Sequence, residues 1–194
     1  MPRIPAHIVL PILILSLAPV APAFSAESAP SVQSTVKLAF IGLEAHVPAA
    51  WTMVPPATDK RLAQFKISTP GEGMTAEVIV YYFGKGEGGT AEANIERWQG
   101  QFVATENKPV LPPVVSRFQS NGMAVTTAEL HGAYARGIGV GPVGVPKPDQ
   151  TLLAAVVETP EGNLIIQLHG KAASVSTQKE AFLAFVRSIR GETI

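Results

Sequence analysis

Most apolar stretches of this chain alternate with a two-residue period, and only two repeat every three to four. In 61–68, Ala63, Phe65 and Ile67 fall on one side while Leu62, Gln64 and Lys66 fall on the other, the pattern of a half-buried strand. Residues 36–41 and 43–47, bent apart at Gly42, also read as strands, as do 52–54, 78–83, 114–119, 123–130, 152–157 and 164–168. Pro70 and Gly71 turn the 61–68 strand back into 78–83 as an antiparallel pair. Asn121-Gly122 favours positive φ at both positions of a two-residue hairpin, and 159–162 joins the last two strands. A helix is predicted over 91–102, with Ala91, Ile95, Trp98 and Phe102 on one stripe and Thr90 as N-cap. Glu92 suits the positive end of its dipole, but Ala93 occupies the position where a reciprocal capping box needs an acid or amide. Thr177 and Glu180 have capping-box spacing and open a second predicted helix. Its stripe is Phe182, Phe185, Val186 and Ile189, and Arg187 and Arg190 occupy its last turns. Each striped helix needs an apolar surface to cover, so the order predicts an α+β fold: an antiparallel β-sheet flanked by helices, an α/β/α sandwich.

Before this pattern begins, the chain reads as an address. Arg3, the apolar run 8–17 and the small residues of Ala21-Pro22-Ala23 form an export signal, too short for a span and interrupted by Pro11 and Pro19. Residues 1–23 are therefore expected to be a signal peptide, 24–34 a flexible leader and 35–194 a single domain, in a protein that is periplasmic or secreted from a bacterium. No cysteine follows the apolar run, which excludes a lipid-anchored form. Removing 23 residues from 194 leaves 171, enough for one domain to bury a sizeable core. With Arg3 gone, 14 basic face 15 acidic residues, so neither nucleic acid nor an anionic membrane is an expected partner, and no stable membrane insertion follows cleavage. The chain has no cysteine, so an exported fold must stand on its core without disulfides.

Gly84-x-Gly86-x-x-Gly89 lies between a strand and a helix with the spacing of a dinucleotide-binding loop. Three things count against that chemistry. The flanking strands read as antiparallel, so no parallel crevice is available. Glu106, the acid at the right distance, precedes Asn107-Lys108-Pro109 rather than ending a parallel strand. Export also takes the chain away from nucleotide cofactors. Lys85 comes too early for a phosphate-binding P-loop. The glycines read as the bend that lets a strand enter a helix, with a small anion on the helix-start amides as the further option.

No Gly-x-Ser-x-Gly or His-Glu-x-x-His occurs, and a cysteine nucleophile is impossible. His131 and Glu129 alternate onto one strand face, a weak acid–base or metal hint for which an exposed or hydrogen-bonded pair on a sheet is the better explanation. Trp51, Phe65, Trp98, Phe102, Phe182 and Phe185 read as core, Tyr81 and Tyr82 as facing opposite ways, and Arg97 as a solvated helix arginine or half of a recognition pair with Trp98. In 135–148 the spacing of Gly and Pro forbids regular structure, yet the segment carries Arg136, Ile138, Val140, Val143 and Val145. A long apolar connection either covers a sheet or meets a partner.

Trp51 with Pro55-Pro56, Arg61-x-Ala63-x-Phe65-x-Ile67, Tyr82-Phe83-Gly84, Asn94-Ile95-x-Arg97-Trp98-x-Gly100-Gln101-Phe102, His131-Gly132-x-Tyr134 and Phe182-x-x-Phe185-x-x-Ser188-Ile189 together resemble the PsbP/Mog1-like superfamily, and more narrowly a group of exported bacterial proteins. The resemblance implies a small sandwich and a scaffold that docks onto a partner rather than a catalyst. The expected function is thus a non-catalytic periplasmic accessory or binding protein with a protein partner in the cell envelope, and with no catalytic residue, cofactor or metal. The alternative is a small-ligand or anion-binding domain, possibly a weak hydrolase, built from Lys85, Gly86, Gly88, Arg97, His131 and Tyr134, which requires those residues to converge on one pocket. A purely structural role in the envelope is the third expectation.

Overall fold

The structure, a computed structural model, describes residues 35–69, 72–105, 108–135 and 144–192. The expected signal segment and leader, Glu106, and the expected partner-surface residues Arg136, Ile138, Val140 and Val143 lie outside the described residues. The elements are β1 (Thr35–Phe40), β2 (Leu43–Pro48), β3 (Thr52–Val54), β4 (Arg61–Thr69), β5 (Gly73–Tyr82), α1 (Ala91–Gln99), β6 (Phe102–Val103), β7 (Val114–Ser120), β8 (Met123–Tyr134), β9 (Lys147–Thr159), β10 (Gly162–Lys171), α2 (Ala172–Ser188) and β11 (Arg190–Gly191). Every ladder among them is antiparallel. One sheet runs β3-β4-β5-β10-β9-β8-β6, with β7 also paired to β8, and a small sheet runs β1-β2-β11.

Alternation along the central strands sorts the core into two layers. Val78, Val80, Ala155, Leu164, Ile166 and Leu168 face α2 and β2, whose Phe182, Phe185, Val186, Ala45 and Val47 complete that layer. Leu130, Leu152, Ala154, Val156 and Ile165 face the other way, toward Trp98 of α1. The sheet is therefore covered on one side by α1 and on the other by α2 with the small sheet, the α+β sandwich that the pattern predicts. Ala63, Phe65 and Ile67 are buried on the α2 side, and Trp51 packs there against Phe65 and Phe185, with centroids 5.9 and 5.6 Å apart. Asn121 and Gly122 take φ of 49° and 78°, the two left-handed positions of the predicted turn. That turn also reaches across the fold: Asn121 Nδ2 donates to the carbonyls of Arg187 (2.9 Å) and Ile189 (2.8 Å), closing the end of α2.

Four expectations need correction. Helix α1 stops at Gln99, because Gly100 ends it and Phe102 leaves to pair with Tyr134 in the sheet. Helix α2 starts at Ala172, directly after β10, so Thr177 is inside it and donates to the Ser174 carbonyl at 2.8 Å instead of capping. The extra turn buries Val175, and its i−4 bonds already occupy the donors that a cap at Thr177 would serve. Arg190 belongs to β11 rather than to the helix. Residues 147–148 are strand rather than irregular: β9 begins at Lys147, opposite Tyr134, and Pro148 is tolerated near the start of a strand.

The small sheet holds a buried acid. Glu44 on β2 is 2% exposed and lies between the Lys37 ammonium and the Arg190 guanidinium, the latter at 2.7 Å. Its hydrogen bond with Lys37, above all, holds the Glu44 carboxyl below its ordinary value of 4.5. A carboxyl depressed by folding stabilises the native state above its unfolded pKa and loses that contribution as pH falls through the folded value. The urea midpoint of Glu44→Gln is therefore expected to lie below that of the parent at pH 6, and the gap to close as pH falls below about 4.5. A gap that stays constant across that window would contradict this.

Candidate functional site

The loop after β5 is tied down by its own neighbourhood. Gly84, Gly86, Gly88 and Gly89 all take positive φ, which lets the chain leave the end of β5 and enter α1 within a few residues. Thr90 caps the helix as predicted, accepting from the Ala93 amide at 3.2 Å. Asn94 Nδ2 donates to the carbonyls of Gly88 (2.8 Å) and Thr90 (2.9 Å), and Asn163 Nδ2 to that of Gly89 (2.9 Å). Lys85 is exposed beside Gly162, where a Cβ would come within 3.1 Å of the Lys85 Cα. The flanking ladders are antiparallel, which leaves no parallel crevice beside this loop.

The other residues of the anion-binding alternative lie elsewhere. Position 163 of β10, at the loop, and position 169 are roughly 20 Å apart along the strand. Near the far end, His131 belongs to the α2 side. Its Nδ1 is 2.8 Å from Thr151 Oγ1 and its Nε2 3.3 Å from Glu129, whose other oxygen accepts from Lys179 of α2 at 2.6 Å. The anticipated His131–Glu129 neighbourhood thus exists, as part of a polar chain whose Lys179–Glu129 ion pair joins α2 to the sheet. Tyr134 belongs to the α1 side, stacked on Phe102 at 4.8 Å and donating to Gln101 Oε1 at 3.2 Å. Arg97 faces the same region and donates to Asn94 Oδ1. Burial draws its guanidinium down from the usual range, while the Tyr81 and Tyr134 phenols act in the opposite direction. The structure thus brings Arg97 and Tyr134 together, links Arg97 through Asn94 to the Gly88 carbonyl, puts His131 on the opposite face, and leaves Lys85 and Gly86 exposed in the glycine loop.

Two recesses lie near this end of the sheet. One, of about 720 Å³, is bounded by Phe102, Val110, Leu111, His131 and Ala172. The other, of about 490 Å³, is bounded by Glu77, His169, Tyr134, Lys147, Lys171 and Val145. It contains polar chemistry that sequence reasoning missed. Glu77 accepts from Gln64 Nε2 at 2.5 Å and lies 3.2 Å from His169 Nε2, and Arg61 donates to Gln64 Oε1 at 2.8 Å. Only part of this was available beforehand: alternation sets Glu77 apart from Val78 and Val80, and Gln167 and His169 apart from Leu168, while the register of β10 on β5 brings the two strands' polar positions together. Their mutual pairing offsets the cost of that burial. Both stems of the β8–β9 connection border this second recess, Tyr134 on the outgoing side and Val145 on the returning side. Val145 is 88% exposed. No group of three or more metal-ligating side chains forms among the described residues, and no helix among them is long and apolar enough to cross a membrane.

Solved structures share this architecture. Cyanobacterial PsbP (CyanoP) from Synechocystis sp. PCC 6803 aligns over 84% of this chain and 95% of its own, with a TM-score of 0.53 and 15% identity. Two further structures align less closely. They are PA94 from Pseudomonas aeruginosa, a protein of unknown function and putative regulator (82% and 99% covered, TM-score 0.47, 14% identity), and LpqN of Mycobacterium tuberculosis, involved in cell envelope biogenesis (80% and 89%, 0.48, 13%). No family model and no curated protein matches the chain. At such identities the likeness concerns the fold alone: the chain has the PsbP-type fold that its aromatic positions resemble.

Proposed function

We propose that this chain is a non-catalytic accessory protein of the bacterial periplasm that docks onto a protein partner in the cell envelope through the β8–β9 connection. Arg136, Ile138, Val140, Val143 and Val145 are the proposed contact residues. The observation that carries this reading is Val145, an apolar side chain almost wholly in water at the rim of a recess. Two long paired strands hold the stems of the connection, which suits a rigid scaffold presenting a recognition loop. The export signal supports the location, and the PsbP-type fold accommodates an accessory role. The dispersal of Lys85, Arg97, His131 and Tyr134 over two faces and two ends of the sheet weighs against the anion-binding alternative.

Pull-down from native periplasm would compare the full protein with a variant whose residues 137–145 are replaced by a short polar turn, and with Val145→Asp. The variants should keep the circular dichroism of the parent and lose the same envelope proteins. Equal recovery by all three would overturn the assignment of the connection.

A further inference from the structure

Among the described residues, strand β7 pairs with β8 along one side only. The two-residue Asn121-Gly122 turn makes Ser120 and Met123 the first bonded pair, so the even-numbered residues of β7 bond to β8. The amides and carbonyls of Val115, Arg117 and Gln119 point outward, and no described group bonds to them. Edges of this kind are normally blunted by lysine, proline, a bulge or a covering segment. Within 114–120, β7 has none of the first three: its only charge is Arg117, drawn toward Glu92 of α1 at 3.2 Å, and its register with β8 is unbroken. Val114, at its start, is 64% exposed.

We propose that β7 is a self-association edge, pairing antiparallel with β7 of a second copy about a two-fold axis through Ser116. The strand's own sequence selects this occupant and register. Residues opposite each other must share a face, so the axis has to pass through a residue. An axis at Arg117 sets two guanidinium groups against each other. An axis at Val115 places Arg117 opposite Pro113, which has no amide to donate. An axis at Phe118 leaves Val114 beside the turn. The axis at Ser116 sets Val115 against Arg117 of the second copy, both with outward-pointing backbone groups, and covers Val114 with the other copy's Phe118, twice by symmetry. The contact is small, so association depends on concentration.

The chain has no cysteine, which makes a direct test possible. In the Ser116-centred register, position 116 meets itself as a non-bonded pair, close enough for a disulfide, while position 114 does not meet itself. Sedimentation over a concentration series should show a monomer–dimer equilibrium for the parent. Ser116→Cys should form a covalent dimer under mild oxidation and Val114→Cys should not. Arg117→Pro removes an outward amide and the exposed Arg117–Glu92 ion pair but no bond to β8, so it should remain folded by circular dichroism and sediment as a monomer. A parent that stays monomeric at high concentration would overturn the proposal, including one that captures an extended peptide along β7. So would a dimer that survives Arg117→Pro. Cross-linking through Val114→Cys but not Ser116→Cys would overturn the register.

Discussion

Phe185→Ala is expected to be the most destabilising single truncation in the chain, costing about 4 kcal/mol. Phe185 is fully buried, and its ring meets Trp51 and Phe65 edge-on at 5.6 and 6.4 Å. Removing it empties the junction of α2, β4 and the turn before β3, three elements that cannot all collapse onto the space. The transfer cost of the ring is therefore joined by a cavity cost and by the loss of two aromatic contacts. Domains of this size have only about 5–15 kcal/mol to lose. Phe185→Leu keeps most of the volume and should cost less than half as much. Urea unfolding checks both: the midpoint should fall steeply for alanine and modestly for leucine with the slope unchanged. Equal midpoints would place the strength of this layer elsewhere.

Gly170→Ala should be nearly as severe, for the opposite reason. A Cβ at this position would lie 2.3 Å from the Thr75 carbonyl oxygen and 2.6 Å from the Ala76 Cα. These are backbone atoms of β5, the strand paired with β10 at Gly170↔Ala76, and no rotamer change can move them aside. One methyl group must part the two central strands at that end or tilt β10, at a cost of roughly 3 kcal/mol. The neighbouring Glu77–His169 contact would be displaced with it. The expected readout is a lowered urea midpoint with faster hydrogen exchange of the amides of 75–77 and 168–170. An unchanged midpoint with unchanged exchange would contradict it. Gly162→Ala, at the other end of β10, serves as comparison, since it is strained by its φ of 118° as well as by contacts near 3.1 Å.

The two positions differ in how far they could be read in advance. Phe185 stands on the Phe182, Phe185, Val186 and Ile189 stripe, and that period already marks it as core. Gly170 looks like any residue at a strand end, and its importance comes from a second strand ninety-odd positions earlier in the chain. The same division runs through the candidate site. Val145 was legible as an apolar residue in a Gly/Pro-rich connection, and His131–Glu129 as a pair by alternation. That His131 and Tyr134, three residues apart on β8, serve opposite faces follows from the same alternation, but that Lys179 of α2 would claim Glu129 was not legible, because the start of α2 and its seat on the sheet are settled by distant contacts. Thr177–Glu180 misled for a related reason: capping chemistry needs free amides, and the preceding turn of α2 had already engaged them.

By itself the sequence determined the reliance on a cysteine-free core, the antiparallel strands, the Asn121-Gly122 turn and the two apolar helix stripes. Each of these follows from interactions within a few residues, where side-chain period and backbone preference act directly. The tertiary structure alone decided that Phe102 joins the sheet, that Asn121 closes α2, that Glu44 is clamped by Lys37 and Arg190, and that Glu77 meets His169. Those outcomes depend on which strands pair and in what register. Distant segments set that choice by burying apolar surface together, and no local pattern contains it.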